Sequence, residues 1–354
     1  MKLLDLSSLY KYTPELLEYY HILSPEIPEF ILEYSNTQEM LKQQYISVSC
    51  GTIYSKLYDL GRFSSLEHSI WVALIIRNFT KDKKQSLAWL FHDIATPVFK
   101  HSIDYMHWDY HNQESTEDLT TEILKNSKEI NNLLERDNIK INEINDYKIY
   151  TIADNKTPQL SADRLEYTLS NNLFVYKNPS PIEEIKEIYN NIIILENEKW
   201  EKELWFNNTK QAEKFTKIMS ELSILYMIDK TRFSMQFLAD LLKTMYENNE
   251  IKIEDLYSLK ESEIIEKIKT SKTWNVSKCY NIRENAKNII ILNEEPKNTY
   301  FVHHWTKIRY IDPLVKEENK RISNISSTSK ENINKCLNFN MDNYMTLNFK
   351  IFKE

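Results

Sequence analysis

The stretch FHDIATPVFKHSIDY, Phe91 to Tyr105, sets His92 directly before Asp93 and, after a Thr-Pro pair, adds His101 and Asp104. The chain has only 8 histidines, so this is a concentration of titratable side chains. A divalent metal ion wants neutral imidazoles and carboxylates converging from rigid elements, with positions left for water and substrate. His68, in SSLEHSIWVALIIRNF, and the His92-Asp93 pair are such groups. Asp163 in SADRLEYTL is the best candidate for a fourth ligand, because it opens a helical pattern beside apolar Leu165 and Tyr167. A lone histidine on an apolar face is more often a core residue. A neighbouring aspartate shifts the balance toward a metal, since it cannot be buried unpaired. A set of two His and two carboxylates suits Mn, Fe, Co or Mg as well as Zn.

Helices have to hold these groups. Ser64 and Glu67 stand in capping-box register ahead of His68, and His68, Val72 and Ile75 recur at helical spacing on an inward face. In DKKQSLAWLFHDI, Asp82 and Gln85 make a second box, Leu87, Leu90, Phe91 and Ile94 form the buried stripe, and Pro97 stops the helix, which places His92 and Asp93 in its last turn. Thr13 and Pro14 start an earlier helix, and Ser161 caps one just before Asp163. NQESTEDLTTEILKNSKEINNLLE, PIEEIKEIYNNIIILENE, NTKQAEKFTKIMSELSILYMI and TRFSMQFLADLLKTMYE continue the helical period. From about residue 285, NIIILNEE and TYFVHHWTKIRYI read as short strands around the turn EEPKN, and KEENKRISNISSTSKENINK reads as a solvated loop. The expected architecture is mainly all-α. A helical bundle spans 1–282, its metal core about 51–172, and a small C-terminal α+β appendage with a polar tail spans 283–354.

Composition narrows the function. Apolar residues make up 42% of the 354, enough for a large core, while the 2 glycines leave little material for a many-stranded barrel and none for a Gly-rich phosphate loop. Rossmann and P-loop readings are thereby excluded at the motif level. The net charge of −7 disfavours nucleic acid as a partner. Cys50, Cys279 and Cys336 form no CxxC and read as reduced thiols of a cytoplasmic protein. MKLLDLSSLY is too soon acidic for a signal peptide, and the longest apolar run, IWVALII, is too short to span a membrane.

The order His68, His92-Asp93, Asp163 resembles the HD-domain metal-dependent phosphohydrolase superfamily, whose all-helical fold holds a metal on those four residues. HDIATPVFKHSID is similar to HDxGHxPFSHxxD of its dNTP triphosphohydrolase-like branch, and SADRLEYTL to that branch's D-A-D-[RK]-x-D-Y. The resemblance covers roughly Gly51 to Asn172 well and the rest weakly. It implies a divalent metal cofactor and a small-molecule nucleotide substrate, and the branch's members are commonly homo-oligomers. Arg164 takes the place of the branch's basic residue and Tyr167 that of its phosphate-contacting Tyr, with Lys100 beside the metal segment as a further cation for phosphate.

Two positions depart from the branch. Thr96 stands where it has an active-site His, and Ser65 where it often has Arg. A threonine hydroxyl hardly ionises, so the leaving group needs another acid. His101, with Asp104 to fix its tautomer, is one choice. His111 and Glu114, in HNQESTE, are the others. Glu166 reads as half of a helix-surface pair and His107 as a surface residue, and His303, His304 and Arg309 as structural, with Arg309 a candidate to reach a nucleotide. The leading function is metal-dependent hydrolysis of a deoxynucleoside phosphate, with attack at the α-phosphorus and loss of triphosphate in the triphosphohydrolase version. Alternatives are a nucleotide monophosphatase, a cyclic-nucleotide phosphodiesterase, and a metal- or nucleotide-binding regulatory module without turnover, which Thr96 favours.

Overall fold

The computed structural model describes residues 14–58, 60–106, 119–273 and 275–347. Thr13, His107, His111 and Glu114 lie outside the described residues.

Three helices, α1 (Pro14–Leu23), α2 (Glu29–Ser35) and α3 (Gln38–Leu41), precede the central one, α4 (Ser65–Thr80). Every residue of α4 from Ser65 to Ile76 is buried, because SLEHSIWVALII is apolar on all faces apart from a few small or titratable groups. The expected capping box forms. Ser64 accepts from the Glu67 N–H, and Glu67 returns to the Ser64 N–H at 2.7 Å. Trp71 packs edge-on against Tyr19, with centroids 5.0 Å apart, and stacks on Phe174 at 5.6 Å. Around α4 lie α5 (Lys83–Leu90), α6 (His101–Met106), α7 (Thr120–Asn126), α8 (Lys128–Arg136) and α9 (Ala162–Phe174). The second half of the chain adds α10 (Ile182–Asn190), α11 (Thr209–Met227), α12 (Asp229–Glu247), α13 (Ile253–Ser258), α14 (Glu261–Lys269), α15 (Val276–Asn285) and α16 (Ser327–Leu337). This is a mainly helical protein with a small α+β part toward its C-terminal end. No described helix is long and apolar enough to cross a membrane.

Two apolar cores organise the helices. One gathers around α4, α5, α9 and α11, the other around α6, α12, α14 and α15. The segment singled out by its histidines runs between them. Phe91 and Ile94 belong to the first core, and Val98, Phe99, Ile103 and Tyr105 to the second. His92 to His101 therefore lie along the seam, fixed at both ends by buried side chains.

Several elements differ from the expectation. Helix α5 ends at Leu90 with Phe91 as its C-cap, so His92 and Asp93 sit in the turn beyond the helix rather than in its last turn. Asp82 does cap α5, but Gln85 returns to the Asp82 carboxylate, at 3.1 Å, instead of closing a box. NIIILENE leaves the helical period as strand β1 (Ile192–Glu196), antiparallel to β2 (Lys202–Phe206). Its β-branched run finds a sheet partner, and that overrides the helical pattern of the preceding residues. NIIILNEE does not pair as a hairpin with TYFVHHWTKIRYI. Instead β3 (Ile290–Leu292) pairs with β6 (Tyr344–Thr346), and Val302 only bridges Met345. The expected solvated loop contains α16, capped by Ser326 and burying Ile333 and Cys336. It is preceded by β4 (Leu314–Val315) and β5 (Lys320–Arg321), and β4 joins β2 in parallel to complete a sheet ordered β1-β2-β4-β5. Arg321 on β5 ties this sheet together across β4 through paired bonds to buried Glu203 on β2, at 2.5 and 2.9 Å. Cys50, Cys279 and Cys336 are all unpaired thiols.

Candidate metal centre and its cavity

Three elements deliver the ligand candidates. His68 comes from the first turns of α4. His92 follows α5, where the Ile94 carbonyl is tied down by Gln43 Nε2 at 2.9 Å. Asp163 opens α9, whose Ser161 cap accepts from the Arg164 N–H, and its own N–H donates to the Ala153 carbonyl at 3.2 Å. One donor atom from each of His68, His92 and Asp163 lies within 4.8 Å of the others, the one such grouping among the described residues. His68 Nε2 is 3.3 Å from Asp163 Oδ1, and the two imidazoles meet edge to face with centroids 5.1 Å apart.

The donor set fits a divalent ion. His92 Nδ1 donates to the Trp89 carbonyl at 2.6 Å, and His68 Nδ1 is held by the buried Glu166 carboxylate. Each ring is thereby fixed with Nε2 facing its partners, the arrangement in which imidazole binds metals. Glu166 is thus no helix-surface residue. It stands one turn after Asp163, and its i, i+3 spacing from a candidate ligand was the signal that could have marked it. Burial alone would lower the His68 pKa, but Glu166 and Asp163 outweigh burial and push it up to about 10. Burial holds His92 below its ordinary value. Burial would raise Asp163, but the hydrogen bond and charge of His68 hold it below the usual carboxylate range.

Asp93 is turned differently. Its Oδ1 lies 3.7 Å from His92 Nε2 and accepts from Thr96 Oγ1 at 3.1 Å, while Oδ2 accepts from Lys100 Nζ at 2.5 Å and from Ser65 Oγ at 3.1 Å. Burial would raise its pKa, yet Lys100 and the two histidines hold it well below the ordinary range. Thr96 and Ser65 are therefore hydrogen-bond donors that orient Asp93.

These groups line one wall of a cavity of about 330 Å³. His101 borders it, 34% exposed, with Nδ1 bonded to buried Asp104 at 2.9 Å, which leaves Nε2 as the nitrogen free to face the cavity. Arg164 reaches the cavity with its guanidinium pinned by Asn155 Oδ1 at 2.5 Å and the Gln159 carbonyl at 2.8 Å. Tyr167 also lines it, its hydroxyl pushed up to about 12 by burial. From outside this segment come Tyr226, Lys307, Arg309 and Tyr310. Of the pair His303 and His304, neither reaches the cavity. His303 bonds to Asp342 at 2.8 Å, and His304 is buried against Tyr105.

Residues 65–167 match the family model described as HD domain. Over 266 residues the chain is 24% identical to YdhJ of Bacillus subtilis (strain 168), described as an uncharacterized protein, with 75% of this chain and 78% of that one covered. A hypothetical protein from Aquifex aeolicus shares the fold at a TM-score of 0.62 and 15% identity, covering 90% of this chain and 92% of that one. A phosphohydrolase from Bacteroides thetaiotaomicron does so at 0.59 and 12% identity, covering 90% and 96%. The matched segment contains His68, His92, Asp93 and Asp163, so the residues singled out as metal-ligand candidates all fall within the stretch that matches the HD domain.

Proposed function

We propose that this HD-type metal-dependent phosphohydrolase acts on a nucleotide, most concretely a deoxynucleoside phosphate. The observation that carries the reading is the convergence of His68, His92 and Asp163 at the wall of a cavity that also presents Arg164, Arg309 and several tyrosines. A volume of about 330 Å³ lies at the lower end of small-ligand sites. Cations in such a site take phosphate charge, and tyrosine rings offer faces to a base. That the Bacteroides thetaiotaomicron neighbour is a phosphohydrolase agrees with this chemistry.

His68, His92, Asp93 and Asp163 would hold the divalent ion, which supplies an activated water and neutralises phosphate oxygens. Arg164 orients the phosphate, since its guanidinium is already fixed by the Asn155–Gln159 loop and loses little freedom on binding. His101, as the imidazolium, gives its Nε2 proton to the departing oxygen, and Asp104, accepting from Nδ1–H, orients the ring and stabilises that charged form. Thr96 has no acid role in this scheme because its hydroxyl serves Asp93.

The test is a product assay. Purified protein with Mn²⁺ is given dNTPs, NTPs, monophosphates and cyclic nucleotides beside an Asp93→Ala control, and products are identified by mass. Triphosphate plus nucleoside is the expected result. Free phosphate from a monophosphate would move the protein to the nucleotidases. No turnover from protein that holds stoichiometric metal would refute the enzyme reading and leave a binding module.

A further inference from the structure

Asp93 has oxygens that the chain itself already engages. Oδ2 accepts from Lys100 and Ser65, and Oδ1 from Thr96. A carboxylate offers about four lone-pair directions, so the one left is on Oδ1, the oxygen that faces His92 Nε2 at 3.7 Å. Sites with two ions hold them about 3.5–4 Å apart. A carboxylate shared between them must turn its second oxygen to the second ion. At Asp93 that oxygen is Oδ2, and the Lys100 ammonium sits on it.

Lys100 is built into this position. Its side chain is 11% exposed, and Nζ also touches Ser65 Oγ at 3.3 Å. Its backbone is left-handed, φ 43, directly after Phe99 at φ 63. Such a conformation is costly for a non-glycine residue and persists only where the surroundings impose it. Here they do. The Val98 N–H donates to the Leu256 carbonyl at 2.9 Å, the Phe99 N–H to the buried Glu261 carboxylate at 3.2 Å, and the Lys100 N–H to the Pro97 carbonyl at 3.2 Å. The strained pair turns the lysine back toward the seam between the cores.

Charge counts the same way. The carboxylates in contact with the ligand rings are Asp93, Asp163 and Glu166, against the single cation Lys100, while Arg164 is balanced by Asp154 at 3.6 Å. One divalent ion brings that group to neutrality. A second would leave a buried excess of positive charge, which desolvation opposes. Among the described residues no second grouping of ligand atoms stands ready to receive it.

We propose that Lys100 is an internal cation that takes the place of a second metal ion at Asp93, so that the site holds one divalent ion per chain. The proposal rests on the metal reading above. The test is equilibrium dialysis of the full, metal-stripped chain against Mn²⁺, with bound metal counted by mass spectrometry and its coupling read by electron paramagnetic resonance. Wild type and Lys100→Arg should each hold one uncoupled ion. Lys100→Met should rise toward two, with an exchange-coupled spectrum. A wild-type chain with two coupled ions, or a Lys100→Met chain that folds by circular dichroism yet stays at one, would overturn the role of Lys100 and leave the phosphohydrolase reading intact. A wild-type chain that binds no metal would overturn both.

Discussion

Glu166 offers the sharpest test of how the ligands are held. Glu166→Gln keeps the size and shape of a fully buried side chain and removes only its charge. In the native site the carboxylate accepts from His68 Nδ1, which leaves Nε2, the nitrogen facing Asp163, as the one that would give up its proton to bind a metal. A hydrogen bond to a charged acceptor contributes about 1.5–3 kcal/mol and one to a neutral acceptor about 0.5–1.5 kcal/mol. The difference between the midpoints, about 1.25 kcal/mol, corresponds to roughly eightfold in affinity. The amide can also rotate to present its NH₂ to Nδ1. That would favour the tautomer with hydrogen on Nε2, which cannot bind a metal, so the loss falls within the roughly 10–100-fold typical of second-layer partners of ligating histidines. The assay is competition for Mn²⁺ between the protein and a fluorescent chelator, with circular dichroism as the folding control. A Glu166→Gln protein that folds and binds Mn²⁺ within twofold of wild type would refute the argument that Glu166 orients His68.

His101→Ala should retain the metal and lose about 10²–10⁴ in kcat, measured with metal content determined on the same sample; an unchanged kcat would remove His101 from the reaction. Glu261 gives a pH signature. Burial pushes its carboxyl from 4.5 up to about 7, so the folded chain binds more protons than the unfolded chain between those values, and stability falls as pH rises through that window. The loss is about 3 kcal/mol in all, and urea unfolding from pH 5 to 7.5 should show a slope that Glu261→Gln removes. At Gly61 an added Cβ would lie 1.7 Å from the Phe174 carbonyl oxygen. Gly61→Ala should therefore cost at least about 1–3 kcal/mol, read as a lower melting temperature.

The residues with local signatures were legible. Ser64 with Glu67 and Ser161 before Asp163 announce their place through neighbours a few positions away, and the structure puts those two helices where expected, whereas the helix before His92-Asp93 ends short of the pair. What depends on distant partners was not. Glu166 read as a surface acid because nothing local shows that α9 buries that face against His68. Lys100 reads as a cation for phosphate and does line the cavity, but its bond to Asp93 was not visible in the sequence. The resembled pattern carries Ser at that position and often Arg at 65, whereas here Lys100 and Ser65 touch, and the positive charge reaches Asp93 from the other side. Strand β1 and helix α16 were hidden for the same reason. A run such as IIIL becomes a strand only once β2 pairs with it, and the polar segment of α16 becomes a helix by burying Ile333 and Cys336.

The parallel pairing of β2 with β4 carries a consequence for chain growth. All four ligand candidates precede β2, whereas Arg309 and Tyr310, which also line the cavity, lie just ahead of β4. Pairing so distant in sequence closes a long loop, which is slow compared with local helix formation. During synthesis the chain presents its histidines and aspartates well before β4, and the cavity residues just ahead of it, have been made. The order of the chain thus sets the metal-ligand candidates ahead of the residues that complete the cavity.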